Sequence, residues 1–340
     1  MTTPHDRIRL GPGAEFDLIR RFLAAAPPAA ATAGAAILVG PGDDCAVVRG
    51  TIAVSTDASV EGVHFLREWI GADDIGWRAA AAALSDLAAV AATPVGLLAT
   101  IAAPPDDVPD FAAQIMAGVA AAAASVGAAL LGGDVSASPA AIFVDIVVLG
   151  EVAAPVLRTG ALPGDELWVT GALGAAAAAV AAWRRGEEPP LAARDAFAHP
   201  RPRLAEASWL REHGVLHAML DLSDGLAGDA AHLAAAGGVG IVLDPAGVPV
   251  AAVALDVMGA RDQALELALA GGEDYELCFA APAGAVQPLA AAFAGAFGLP
   301  LTRVGEVIAG AGVARRELDG SVRPLPRTGY QHFGEGEARP

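Results

Sequence analysis

Short apolar runs rich in β-branched residues alternate along the chain with longer, alanine-rich runs of helical length. This alternation predicts an α/β protein with α+β-type layers rather than a bundle or a sandwich. Strands are expected over residues 52–56, 95–101, 142–148, 167–170, 218–220, 241–243, 275–279 and 303–307, and helices over 72–91, 108–126, 173–184, 203–212, 226–236, 261–269 and 285–294. The segment GEVAAPVLRTGALPGDELWVTG carries prolines and glycines between two strands, so a domain border is expected near residue 153. That gives an N-terminal domain over 1–152 and a C-terminal domain over 153–340, both of ordinary size for a chain of 340 residues. The apolar stretch 111–133 owes its apolarity mostly to alanine, which drives membrane insertion weakly; a buried crossover helix followed by a glycine turn is the expected reading.

Composition narrows the chemistry. Acidic residues number 39 and basic residues 21, for a net charge of −18, which repels both a phosphodiester backbone and anionic lipid heads. Neither nucleic acid nor a membrane surface is an expected partner. All the basic residues are arginine, so a Walker A lysine, a kinase strand lysine and a Schiff-base lysine are excluded. Cys45 and Cys278 stand far apart without a C-x-x-C pattern, which indicates neither a disulfide framework nor a thiolate metal site. Together with a start, MTTPHDRIRL, that lacks an apolar signal region, this makes the cytoplasm the expected compartment.

What stands out is a set of carboxylates in apolar or glycine-rich surroundings. Asp86, in AAAALSDLAAVAA, is the only charged side chain between Ala79 and Thr100. A carboxylate buried there needs a metal ion or an arginine, unless it lies on an exposed face. Asp43 and Asp44 follow VGPG, Asp57 ends TIAVST, Asp134 follows ALLGG, Asp221 and Asp224 frame DLSDG, and Glu273 and Asp274 follow LALAGG. Taken singly, an Asp beside Gly is more often a turn or helix cap than a ligand. Collected at strand ends, where α/β sheets bind ligands, aspartates without His or Cys company suit a hard cation such as Mg²⁺, which completes its shell with phosphate oxygens and so points to a nucleotide. Glycines in GGD and TGALG would let backbone N–H groups approach phosphates. No G-x-x-x-x-G-K-[ST], G-x-G-x-x-G or G-x-S-x-G occurs.

In order, the segments GAEFDLI, VGPGDDCAVV, VSTDASVEGVHF, ALSDLAAVAATPVGLL, LLGGDVS, RTGALPGD, TGALG, DLSDGLAGDAAHL, LAGGEDYELCF, RVGEV and GYQHF resemble thiamine-monophosphate kinase, within the wider aminoimidazole ribonucleotide synthetase-like superfamily. The resemblance runs from Gly13 to Phe333. It implies an enzyme that uses ATP and several Mg²⁺ ions to convert thiamine monophosphate to thiamine diphosphate, and a homodimer in which the mixed N-terminal sheets pair. Carried over by position, it implies that Asp44, Ser55, Thr56, Asp57, Asp86, Asp134, Asp221 and Asp224 hold magnesium, with Asp57, Asp86 and Asp224 closest to the chemistry. Gly133, Asp134, Arg158 and Ser223 would meet ATP, and His64, Glu273 and Tyr330 would line the thiamine-phosphate pocket. The resemblance leaves Asp43 and Asp274 as second-layer or turn residues.

The expected chemistry is direct in-line transfer of the γ-phosphoryl group to an acceptor that is already anionic, so carboxylate-held cations and no catalytic lysine are what the reaction needs. The chain departs from the family pattern where GGDVSASP lacks a threonine pair and TGALGAAAA lacks an acidic residue. Three other readings compete. Selenophosphate synthetase needs a reactive Cys or selenocysteine and an N-terminal lysine, neither of which is present; aminoimidazole ribonucleotide synthetase fits the fold but less well VEGVHF and GGEDYEL; and a non-catalytic magnesium–nucleotide sensor would keep the fold.

Overall fold

The computed structural model describes residues 8–25, 36–105 and 110–325. The N-terminal half holds a six-stranded sheet built from β1 (Ile37–Val39), β2 (Ala46–Val48), β3 (Ile52–Val60), β4 (Thr93–Ala103), β5 (Ala129–Ala137) and β6 (Phe143–Glu151), in the order β1-β2-β3-β6-β4-β5. Only β4 and β5 run parallel. The helix between them, α3 (Asp110–Ser125), is the crossover that parallel pairing requires.

Alternation in the sheet decides what is covered. On β6, Val144, Ile146 and Val148 are buried while their neighbours are half-buried, and they align with Leu97, Ala99 and Ile101 of β4. That face lies under α2 (Ala72–Ala89) and α3. Alanine lets these two helices approach closely, and glycine closes the last gap: a Cβ on Gly76 would lie 1.8 Å from the Ile115 carbonyl oxygen, and one on Gly118 would lie 1.9 Å from that of Asp73. Both obstacles are backbone, so the helices must part. Gly76→Val is therefore expected to destabilise the protein by about 3 kcal/mol, the upper range of overpacking, read as a lowered midpoint in urea unfolding at unchanged m.

The C-terminal half forms a seven-stranded sheet from β7 (Glu166–Thr170), β8 (Ala218–Asp221), β9 (Gly240–Leu243), β10 (Leu277–Ala281), β11 (Leu301–Ile308), β12 (Gly312–Arg316) and β13 (Val322–Pro324), ordered β13-β12-β9-β11-β7-β10-β8. Strands β8, β9 and β10 are buried along their whole length because helices cover both faces. One face packs on α7 (Leu226–Gly237); the other packs on α4 (Ala175–Arg184), α5 (Leu191–Ala198), α6 (Leu204–Glu212) and α10 (Ala290–Phe297) and joins the core of the N-terminal half. Helix α2 touches both β8 and α6, so it links the halves. Among the described residues, no helix is long and apolar enough to cross a membrane.

The expected elements are present with shifted ends, and the shifts have causes. Strand β10 begins at Leu277 rather than 275, because Glu273 and Tyr275 adopt φ of 66° and 49°, outside the extended region. Helix α10 begins at Ala290, since Pro288 confines the preceding turn to a 3₁₀ segment at Gln287–Leu289. The glycine turn expected after α3 falls at Gly127, which takes φ of 74°, and the glycines Gly132 and Gly133 beyond it belong to the unforeseen nine-residue strand β5. Unforeseen elements are α1 (Ala14–Ala25), α5, α8 (Ala252–Met258), β1, β2, β12 and β13; α9 (Arg261–Ala270) lies where expected.

Candidate active site

Three elements deliver carboxylates to one point. Asp44 precedes β2, Asp86 lies in the last turn of α2, and Asp221 ends β8; their ligand atoms lie within 4.8 Å of one another. Two of the three come from the N-terminal half and one from the C-terminal half. Ser55 on β3 donates its hydroxyl to Asp86 Oδ2 at 2.5 Å. Arg158 forks onto both oxygens of Asp44, at 2.9 and 2.5 Å, and its backbone N–H donates to Asp43 Oδ2 at 2.9 Å. Asp43 also accepts from the Asp44 N–H at 3.0 Å, so it braces the turn.

Charge is left uncompensated at this point. Among the described residues Arg158 is the one cation paired with the group, and it neutralises Asp44; neither Asp86 nor Asp221 has an ion-pair partner. Burial, then the neighbouring Asp44, pushes Asp221 up to about 7. Burial, followed by Asp221 and Asp44, holds Asp86 well above the carboxylate range. Asp43 rises to about 7 through burial and then Asp44. An all-oxygen donor set with excess negative charge, drawn together against its own repulsion, fits a hard divalent cation such as magnesium.

Beside it opens a cavity of about 250 Å³ lined by, among others, Asp57, His64, Arg78, Ser223, Asp224 and Glu273. Burial and then Glu273 raise Asp57 to about 7. Val60 N–H donates to His64 Nδ1 at 3.0 Å, which orients the ring. A second cavity of about 200 Å³ shares Val63, His64, Gly271 and Glu273 with the first and is otherwise largely apolar, with Phe65, Trp69 and Phe197 in its wall. The loop that carries Glu273 is strained: Glu273 and Tyr275 both occupy left-handed backbone, at about 1–3 kcal/mol each. It is pinned by Glu273 N–H to the Ser223 carbonyl and Tyr275 N–H to the Leu222 carbonyl, both 2.8 Å, and by Gly174 N–H to Asp274 Oδ1 at 2.7 Å. Asp274 is thereby a structural anchor of the loop. Glu276, which follows Tyr275, is buried and takes a two-pronged ion pair from Arg203 together with the Thr170 hydroxyl.

Not every expected site residue joins this constellation. Ser55 and Asp57 lie opposite Val148 and Ile146, on the helix-covered face of the sheet. Thr56 faces the other way and donates to Asp145 Oδ1 at 3.1 Å. Asp134 on β5 opposes Thr100, which opposes Asp145, so it shares that outer face, three strand spacings or about 14 Å from β3. Gly133 sits beside it on the same exposed strand, with its missing Cβ accommodating the Ala99 carbonyl oxygen. Within one copy of the chain, Thr56, Gly133 and Asp134 stand apart from the group around Asp86. Tyr330 lies outside the described residues.

The structure adds residues that sequence reasoning passed over. Asp229 and His232 on α7 gather with Asp224, and Asp224 N–H donates to Asp229 Oδ2 at 3.1 Å. The His232 ring lies 4.3 Å from that of Phe16 on α1. A lone acidic residue in the alanine-rich α7, the same signal that marked Asp86, could have found Asp229. Arg78 on α2, itself buried, lines the cavity. Cys45 is buried, its thiol donates to the Asp86 carbonyl at 3.3 Å, and burial and then Asp86 push its pKa up, so no reactive thiolate stands here as selenophosphate chemistry would need.

A mixed sheet per half and a carboxylate cluster between the halves define an AIR synthase related protein: that family's N-terminal domain matches residues 42–152 and its C-terminal domain residues 163–316. The chain is 33% identical over 310 residues to a protein of Rhodopirellula baltica named thiamine-monophosphate kinase, covering 87% of this chain and 92% of that one. It is 35% identical over 320 residues to the thiamine-monophosphate kinase of Mycobacterium tuberculosis, covering 88% and 87%. The chain belongs to the thiamine-monophosphate kinase family. Among solved structures it is similar to AaThiL complexed with AMPPCP and TMP, with a TM-score of 0.79, 28% identity and 94% and 97% of the two chains covered, and to the thiamine monophosphate kinase from Aquifex aeolicus, with a TM-score of 0.75, 27% identity and 92% and 96% covered.

Proposed function

We propose that this chain transfers the γ-phosphoryl group of ATP to thiamine monophosphate, giving thiamine diphosphate. The observation that carries the reading is the meeting of Asp44, Asp86 and Asp221, ligand atoms within 4.8 Å, beside a cavity that Asp57, Ser223 and Asp224 enter. The family relationship and a similar structure holding an ATP analogue and TMP support the choice of substrates.

Both substrates are anions, and this chain brings no lysine to them. Magnesium held by Asp44, Asp86 and Asp221, with Asp57 and Asp224 beside them, would neutralise phosphate oxygens and stabilise charge on the group in transfer. The protein's own part is placement. Arg158 fixes Asp44, Ser55 fixes Asp86, and the pinned loop fixes Glu273 where the two cavities join. The apolar cavity walled by Phe65, Trp69 and Phe197 suits the rings of thiamine, which leaves the acceptor phosphate toward the carboxylates, in line with the donor. His64 stands at the junction of the two cavities.

The same reading assigns residues 1–152 to nucleotide and metal binding and 153–340 to completing the site, and it places the reaction in the cytoplasm, where ATP is supplied. A homodimer accounts for the outer face of the N-terminal sheet. Leu98 and Leu131 are 40 and 53% exposed there, next to and on the unpaired edge strand β5, an arrangement that invites a second copy. In a coupled assay with ATP, Mg²⁺ and thiamine monophosphate, stoichiometric ADP and thiamine diphosphate are expected. Nucleotide binding without thiamine diphosphate would instead make the protein a sensor.

A further inference from the structure

We propose that Arg78 is a positioning residue that holds the Glu273 carboxylate toward the acceptor side of the cavity, across the boundary between the two halves. The inference rests on the thiamine-monophosphate reading for the meaning of Glu273, but its geometry does not.

Arg78 belongs to α2 and is 3% exposed. One of its terminal nitrogens lies 2.5 Å from Glu273 Oε2, and the other donates to the Phe197 carbonyl at 2.8 Å. Its guanidinium also lies 3.8 Å from the centroid of the Phe197 ring. Three contacts to two separate segments of the C-terminal half thus fix a planar fork that lysine could not reproduce. Glu273 is held from the other side as well, since the Tyr275 hydroxyl donates to the same Oε2 at 2.7 Å.

The electrostatics require such a clamp. Asp57, Asp224, Asp229 and Glu273 all line the cavity, and the arginines there are Arg78 and Arg158. Arg158 is committed to Asp44. Without Arg78, Glu273 faces Asp57 uncompensated, on a loop whose left-handed residues gain by relaxing. The carboxylate would turn toward solvent, and the wall shared by the two cavities would move with it. Among the described residues Arg78 makes no ion pair with Asp44, Asp86 or Asp221, and of the carboxylates assigned to magnesium it acts on Asp57.

The test compares Arg78→Met, Arg78→Lys and Glu273→Gln with the double variant R78M/E273Q, after thermal melts of each. R78M is expected to raise KM for thiamine monophosphate by about tenfold while KM for ATP stays within about twofold. R78K should recover part of the loss by restoring charge without the fork. The double variant should be no worse than E273Q, because the two side chains act as one. Hydrogen exchange of peptides spanning residues 271–277 should quicken in R78M. Equal rises in both KM values, or additive losses in the double variant, would overturn the proposal. If R78M does not fold, R78K carries the test through a smaller change in the same direction. Should the wild-type protein fail to phosphorylate thiamine monophosphate, the substrate reading falls and exchange alone decides: faster exchange in 271–277 sustains the clamp, unchanged exchange overturns it.

Discussion

Asp86→Asn is expected to lower kcat by about a thousandfold or more while raising the melting temperature of the metal-free protein. The first effect follows from position: Asp86 meets Asp44 and Asp221 with ligand atoms within 4.8 Å of one another, and exchanging it for an amide removes a charge from the site at which two anions must meet. The second follows from the same repulsion read the other way. With no cation present, ionised Asp86 suffers burial and then Asp221, Asp44 and Asp57, which is why its pKa is pushed up. Asparagine keeps the shape, and its carbonyl oxygen can still accept the Ser55 hydroxyl, but it carries none of that penalty. Each kcal/mol relieved is worth about 2–4 °C for domains of this size. Steady-state kinetics and melting in EDTA read both effects. A variant that keeps a tenth of the wild-type kcat, or melts lower than wild type in EDTA, would show that Asp86 is no part of the charged centre.

The legible part of this molecule was the part written in contrasts. Asp86 among alanines, and Asp221 closing the apolar run AMLD, could be picked out because a charge in such surroundings demands a reason. The strands β8, β9 and β10 could be placed because burial on both faces leaves uninterrupted apolar runs. What the sequence hid was direction. Thr56 is adjacent to Ser55 and Asp57, and only the pleat of β3 turns it to the opposite face. Asp134 reads like its fellow aspartates after glycines, but the parallel pairing of β5 with β4 carries it to the sheet's edge. Arg78 was invisible for a further reason: an arginine in an alanine-rich helix looks like a solvated residue, and its burial depends on where Phe197 and Glu273 arrive from some 120 and 195 positions away along the chain.

Stability should respond to magnesium in a way that depends on pH, with a sign fixed by the raised carboxylates. Asp43, Asp57 and Asp221 are pushed up to about 7 in the fold from an ordinary value of 3.8. The folded protein thus binds protons more tightly than the unfolded chain, so these groups favour folding fully below about pH 4 and lose that contribution as pH rises through about 7. In EDTA the melting temperature is therefore expected to decline from pH 5 to pH 8 on account of this group. Magnesium competes with protons at Asp57 and Asp221, so its effect must grow in that interval: a small upward shift at pH 5 and a large one at pH 8, where an ion at a hundredfold its dissociation constant adds about 2.7 kcal/mol. Turnover should vanish in EDTA at every pH and return with Mg²⁺. Calorimetry at both pH values, with and without Mg²⁺, decides the matter. A magnesium shift that is equal at pH 5 and pH 8, or larger at pH 5, would mean that the ion binds elsewhere, because no carboxylate with a raised pKa can prefer a cation where protons are most abundant.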